Sequence, residues 1–325
     1  MKLKLLQKLF FISSISLFLG FQIQGQTMNE AIDAYNTGIG LIDDDIKAAI
    51  ENLEKSREIA SQLGEEGEEL KEQAEIQIPG LYYDMAMDSY RERNINQAVE
   101  DFEKTIEVSE ELNDPSTKQR AENVLHQLYA IQANAAFREN NNDQALSLFQ
   151  KALEINPQHA RSHLGKGLVY RRLEDSGNFK ESMDMAIQAG LTASEENIVE
   201  TAESTARDFF LVRAVRAKNE ENYSQAIDFL STSLSYDETF PETHFVLASV
   251  YNEQSNYEDA VNSARRAIDL LNGSPEETAK MYFQLGEAYA GLGNTSEACA
   301  AFKEAAYGSY EESANYQIEH VLNCN

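Results

Sequence analysis

Small and apolar residues recur along this chain at helical intervals, and the recurrence has a register of its own. Between residues 279 and 305 a ring at Tyr282 is followed by Leu285-Gly286 and Tyr289, then by a Gly293-Asn294 turn, then by Ala298, Phe302 and Ala305. Spacings of three and four on either side of a turn predict two helices joined as a hairpin. A small residue at Gly286 opposite Ala298 lets the two helices cross at the short end of the roughly 8 to 10 Å interaxial range. Tyr282, Leu285, Tyr289 and Phe302 would fill the seam.

The same spacing returns upstream: a small residue, an alanine twelve later, an apolar residue sixteen later and a small one nineteen later. It is kept by Ala133, Ala145, Phe149 and Ala152, followed by Pro157, and by Ala248, Ala260, Ala264 and Ala267. Looser copies are Ala86, Ala98, Phe102 and Thr105, and Ala214, Ala226, Leu230 and Ser233. A ring stands four residues before each leading small residue, at Tyr82, Tyr129, Phe210, His244 and Tyr282. Two copies are altered. Gly167, with His163 in the ring position, leads to Ser182, Ala186 and Ala189 with three extra residues around 175–178. Gly38 leads to Ala49, Leu53 and Ser56 with one residue fewer.

The second-helix anchors Ala49, Ala98, Ala145, Ser182, Ala226, Ala260 and Ala298 then lie 49, 47, 37, 44, 34 and 38 residues apart. Intervals above the shortest predict lengthened helices, for example over 115–139 and 194–219. Pro79-Gly80 falls in another such stretch and is expected to kink or break it.

These residues resemble the tetratricopeptide repeat family, whose pattern of an aromatic, Leu-Gly, Tyr, Ala, Phe, Ala and Pro over a thirty-four-residue unit is nearly complete from Tyr282 to Ala305 and good from Tyr129 to Pro157. The chain departs from the family in having no tryptophan and in keeping the thirty-four-residue interval once. The resemblance implies an all-α right-handed superhelix of about seven helical hairpins over 26–310, with a capping helix over 311–325. It also implies a concave groove that holds a peptide or a segment of another protein. The family's groove positions map onto Tyr83, Met87 and Tyr90, onto Ala130, Asn134 and Phe137, and onto Leu164, Leu168 and Arg171. They continue as Leu211, Val215 and Lys218, as Phe245, Ser249 and Asn252, and as Phe283, Glu287 and Ala290.

Bases gather at Arg138, Arg161, Lys166, Arg171 and Arg172, and again at Arg207, Arg213, Arg216 and Lys218. Arginine pairs well with carboxylate, so a carboxylate-bearing segment is one candidate partner. Asn134 matches the asparagine of the family's carboxylate clamp, but Ala130 stands where that clamp has a lysine. The alternative is that these bases pair with the chain's own acids.

Charge narrows the partner classes. The formal net charge of the 325 residues is −28, with 55 acidic and 27 basic side chains. Nucleic acid and anionic membrane both need basic neutralising patches, so neither is an expected partner. A basic protein segment suits such a surface, and a merely solvating role for the acids is the other reading. Residues 1–25 have the form of a secretory leader: Lys2, Lys4 and Lys8, an apolar stretch over 9–21, and Gly25 before a plausible cut ahead of Gln26. The apolar stretch is short for a spanning helix, which needs about twenty residues. The region has no cysteine for lipid attachment. A soluble exported protein, periplasmic or secreted, is expected, with an uncleaved anchor as the alternative.

Candidate chemistry adds little. His159 and His163 share a helix face at a metal-compatible spacing, yet no glutamate follows His159 as a zinc hydrolase motif requires. Gly38-Ile39-Gly40 lacks the strand and third glycine of a nucleotide loop, and Asp43, Asp44 and Asp45 suit a turn that caps a helix starting near Ile46. Cys299 and Cys324 are expected to pair in an oxidising compartment, closing the end of the chain; a Cys299-His320 nucleophile pair is the minor alternative. The expected function is a non-enzymatic scaffold or adaptor of the cell envelope, with no cofactor, no metal and no catalytic residues. A structural subunit using its convex face or ends, and a metal-binding or enzymatic protein using His159 and His163, are the alternatives.

Overall fold

The computed structural model describes residues 27–324, so the expected leader over 1–25 lies outside the described residues. Among these the protein is all-α: fifteen α-helices, short 3-10 and π turns, and no strand. The chain divides into two compact units, 1–169 and 170–325. The first holds α1 (27–41), α2 (Ile46–Gln62), α3 (Glu68–Arg91), α4 (Ile95–Glu111), α5 (Pro115–Arg138), α6 (Asn142–Ile155) and most of α7 (Ala160–Arg172). The second holds α8 (Ser176–Ala193), α9 (Glu196–Asn219), α10 (Tyr223–Tyr236), α11 (Pro241–Glu253), α12 (Tyr257–Leu271), α13 (Pro275–Gly291), α14 (Thr295–Ala305) and α15 (Glu311–Tyr316).

In each unit helices pack against the next in sequence: α3 on α4 and α5 on α6 in the first, α9 on α10, α11 on α12 and α13 on α14 in the second. The repeating small and apolar positions form the seams. Ala86, Ala98, Phe102 and Tyr129 share one buried cluster; Ala133, Ala145 and Phe149 share another; Ala248, Ala260, Ala264, Ala298, Phe302 and Ala305 share a third. A Cβ added to Gly286 would lie 2.8 Å from the Phe302 ring, and one added to Gly38 would lie 2.8 Å from Leu53 Cγ. The leading small residues are therefore required by close helix approach. The lengthened helices are real: α3, α5 and α9 each run 24 residues.

The hairpin turns share one device. Arg93, Asn140, Glu174, Glu221, Ser255 and Gly293 all have φ between 58° and 78°, and each is followed by Asn or Asp as the N-cap of the next helix. A left-handed residue costs a non-glycine roughly 1 kcal/mol, but it turns the chain at once into the next helix. Asn94, Asn141, Asp175 and Asn222 then accept a hydrogen bond from the N–H three residues on, satisfying a donor the helix leaves open. Asp45 caps α2 in the same way, from Ala48 N–H at 3.0 Å.

The cap stands four residues before the anchor of each second helix, and this corrects the fourth repeat. Asp175 caps α8, so the anchor is Phe179, followed by Met183 and Ala186, all fully buried. No residues are inserted: Phe179 lies twelve after Gly167, as the register demands. Ser182 and Ala189 mimic an anchor because they lie on the same buried face, three and ten residues along. A bulky phenylalanine in an alanine position hid the true register. Phe209 and Phe210 of α9 take up its ring, at centroid distances of 4.1 and 5.9 Å.

Two further expectations change. Pro79 does not break α3, which continues through it to Arg91. Proline removes one N–H from the helix, and here Ile78, Pro79 and Leu81 are all buried, so tertiary packing holds the helix across the gap. At the C-terminal end the capping helix is shorter than expected: α15 covers six residues and passes into a π turn over Gln317–Val321. Ala314 is fully buried there, and Ile318 and Leu322 pack on the last core cluster, while Tyr316 and Val321 face solvent. Cys299 and Cys324 form a disulfide, with Cα atoms 5.8 Å apart, tying this segment to α14.

Candidate functional site

In the second unit the first helices of successive hairpins lie against one another, α9 on α11 and α11 on α13. Their shared face lines a cleft of about 620 Å³. Lys218 enters from the end of α9; Ser249, Asn252 and Glu253 from α11; Phe283, Gln284, Glu287 and Ala290 from α13. Spacings of three and four put each set on one helix face. Tyr310 and Gln317 of the C-terminal segment form a further wall. Phe283 is the aromatic centre, with ring centroids 5.3 Å from both Phe302 and Tyr310. Tyr257 reaches the rim because Gly291 makes room: a Cβ there would lie 2.4 Å from the tyrosine ring.

The polar groups of the cleft are arranged unequally. Lys218 Nζ donates to Ser249 Oγ at 2.8 Å and pairs with Glu253 at 3.2 Å. Asn252 Nδ2 donates to the Gln284 backbone oxygen at 2.9 Å and to its side-chain oxygen at 3.0 Å. Gln284 Nε2 in turn donates to Glu287 at 2.9 Å. The Asn252 Oδ1 atom is buried and has no hydrogen-bond donor. Burial pushes the Glu287 carboxyl above the usual carboxylate range, and the nearby charge of Glu253 adds to this, against the hydrogen bond from Gln284 and the charge of Lys218.

Six of the groove positions implied by the family pattern thus meet in one place: Lys218, Ser249, Asn252, Phe283, Glu287 and Ala290. Leu211 and Phe245 pack instead against the core around Ala214, Leu230 and Val246, and Val215 is 37% exposed beside them. In the first unit Tyr83 meets Phe102 edge-on, lies under the Arg120 guanidinium, and with Met87 packs on the cluster around Phe102. Tyr90 is exposed. Phe137 packs near Ala133 and Phe149, Asn134 Nδ2 donates within its own helix to the Ala130 backbone oxygen, and Arg138 is exposed. Leu164 and Leu168 are half-buried on α7, and Arg171, in the second unit, is exposed.

Sequence reasoning missed Glu253, Gln284, Tyr310 and Gln317. The first two immediately follow groove positions on their helices, so a wider helical face would have included them. Tyr310 and Gln317 belong to no repeat.

Four of the nine bases that suggested a carboxylate partner face the chain's own acids. Arg207 pairs with Asp208 and Asp237, Arg213 and Arg216 both with Glu174, and Lys218 with Glu253. A second cleft, of about 700 Å³ in the first unit, is built the same way: Arg57 bridges Glu54, Glu75 and Glu111.

The histidines are structural in their contacts. His163 Nε2 donates to the Pro157 backbone oxygen and His244 Nε2 to that of Glu238, both at 2.9 Å, each clamping the loop before its helix. His159 Nδ1 lies 2.7 Å from Ser162 Oγ, and its ring meets that of His126 edge-on at 4.7 Å. Burial, then the charges of His126, Arg161 and His163, hold His159 down at about 4. Among the described residues no group of three or more His, Cys, Asp or Glu side chains is placed to hold a metal ion.

Residues 132–194 and 245–314 match the tetratricopeptide repeat family model. No curated protein matches the chain. Solved structures similar to it include MamA, 17% identical over 60% of this chain and 95% of that one, at a TM-score of 0.35. They include YrrB, described as a tetratricopeptide-repeat protein with an unusual peptide-binding site, 20% identical over 60% of this chain and 88% of that one, at 0.34. They also include a tetratricopeptide repeat protein from Parabacteroides merdae, 16% identical over 92% of this chain and all of that one, at 0.32. The two matched segments are tetratricopeptide repeats, and the helix–turn–helix register they share is repeated along the described chain.

Proposed function

We propose that this protein is a non-enzymatic scaffold that holds a segment of another protein in the cleft between α9, α11, α13 and the C-terminal segment, which caps the stack. The carrying observation is the convergence of six groove-register residues, Lys218, Ser249, Asn252, Phe283, Glu287 and Ala290, on one open cleft with Phe283 at its aromatic centre. A concave, partly aromatic site with a few convergent polar groups is the kind that holds a bound segment. A carboxylate-bearing segment is the less favoured occupant, because Arg207, Arg213, Arg216 and Lys218 already face acids of this chain.

The site of action we propose is the cell envelope or the exterior. The Cys299–Cys324 disulfide supports it, since such bonds persist in oxidising compartments. No helix among the described residues is long and apolar enough to cross a membrane.

Photo-crosslinking in the producing cells tests the groove. A benzophenone side chain at position 283 is expected to capture one defined protein, with capture lost on Asn252→Ala. Capture at position 266, exposed on α12 outside the cleft, with none at 283, would overturn this reading in favour of a structural subunit that uses another face.

A further inference from the structure

The cleft has more to say about its occupant than that it is a chain segment. Two carboxylates line it, those of Glu253 and Glu287. Lys218 is its one cationic lining residue, and that ammonium is engaged by Ser249 and Glu253. The Asn252 amide and the Gln284 amide both point their donors at groups of the cleft itself. One ammonium against two carboxylates leaves the lining net negative, and a protein carrying −28 in all offers no compensating field.

An incoming carboxylate would meet Glu253 and Glu287, with the one ammonium already engaged and only uncharged donors, such as the Gln317 amide and the Tyr310 hydroxyl, to receive it. An incoming cation would meet the reverse: two carboxylates and, beside them, the faces and edges of Phe283, Tyr257 and Tyr310. Aromatic walls add a cation–π attraction that carboxylates do not enjoy.

We propose that this cleft seats a lysine or arginine side chain of the partner segment, its donors meeting Glu287 and Glu253 and its stem lying along Phe283 and Tyr310. The inference rests on the reading that the cleft holds a protein segment, and it names what that segment must carry. It also gives Glu287 a task. A carboxylate this buried, next to another carboxylate and with one hydrogen bond from Gln284, is poorly placed for folding and well placed for a cation.

Selection of a random, phage-displayed peptide library on the disulfide-intact full chain tests it. Enriched peptides are expected to share a Lys or Arg. Replacing that residue by citrulline or norleucine in a synthetic copy should weaken binding at least tenfold, as should Glu287→Gln. Thermal melting of Glu287→Gln confirms that the variant is folded. If enriched peptides lose binding on Phe283→Ala yet are indifferent to Glu287→Gln and to loss of their charge, or carry acidic residues, the cation is overturned while the groove stands. If the peptides obtained respond to neither Phe283→Ala nor Glu287→Gln, or none is enriched, the groove reading fails and takes the cation with it.

Discussion

Reducing the Cys299–Cys324 bond should loosen one wall of the cleft without unfolding the repeats. The bond closes 25 residues of sequence, which on the chain-entropy model is worth about 3.5 kcal/mol against opening of that loop. The loop contains the whole C-terminal segment, including Tyr310 and Gln317. Its apolar anchorage is thin: Ala314 is fully buried, while Ile318 and Leu322 are only partly so, a few kcal/mol at about 25 cal/mol per Å². Ordering its residues costs roughly 1 to 2 kcal/mol each, and a six-residue helix has no stability of its own. The covalent tie is therefore comparable with everything else that holds the segment down. Hydrogen exchange read by mass spectrometry, with and without reductant and on Cys324→Ser, is the assay. Peptides covering 308–322 should exchange up to roughly 300-fold faster, the equivalent of 3.5 kcal/mol at 1.4 kcal/mol per decade. Peptides from α9 and α11 should not change. A rise of less than about tenfold over 308–322 would show that packing alone holds the wall, and the argument would be wrong.

Phe179→Ala should destabilise by about 3 to 5 kcal/mol and Ser182→Ala by under about 1 kcal/mol in urea unfolding, the reverse of what an anchor at Ser182 requires. Gly286→Ala forces a methyl to 2.8 Å from the Phe302 ring and should cost about 1 to 3 kcal/mol, read as a lowered melting temperature; no change would mean that the seam can open freely. His159 is held down at about 4 against an ordinary 6.5, so the folded protein binds fewer protons than the unfolded chain between those values. Its contribution is complete above pH 6.5 and is lost as pH falls towards 4, and His159→Asn should flatten the fall in urea midpoint across that window. Glu287 is shifted the other way, so its penalty grows as pH rises above the unfolded value near 4.5. Glu287→Gln should therefore match wild type in acid and exceed it in melting temperature at pH 8; equal melting at both would mean the carboxylate is not strained.

The fold was legible because the small residues that let helices touch cannot be replaced without steric cost. Gly38, Gly286 and the alanines at 98, 145, 260 and 298 repeat in register for that reason, and all fall in the seams. Where two large groups can repack together, the pattern fails: Phe179 in an alanine position is met by Phe209 and Phe210, and no spacing rule anticipates that exchange. A stronger mark was overlooked. An Asn or Asp stands four residues before the anchor in every one of these second helices, at positions 45, 94, 141, 175, 222, 256 and 294. Capping depends on backbone geometry alone, so it persists where core residues trade volume, and reading it would have placed Phe179 correctly. Pro79 shows the opposite limit, since a helix breaker is overruled by burial contributed from other helices.

The site was legible only in part, because the register says which way a side chain faces and not what it will meet. Lys218 and its neighbouring arginines read as a basic patch along the chain, and in space each of Arg207, Arg213, Arg216 and Lys218 has an acid of this same chain against it. Sequence counts charges; folding cancels them locally. What remains after cancellation is the informative part, and in the cleft it is the Glu287 carboxylate, pushed up by burial and by the charge of Glu253. Elsewhere among the described residues the buried hydroxyls of Ser56, Thr105 and Ser233 reach backbone oxygens, while Ser109 Oγ and His126 Nδ1 are buried without a partner. Glu253 and Glu287 stand on adjacent helices and line one cleft, and the repulsion between them would be relieved by a donor-rich cation.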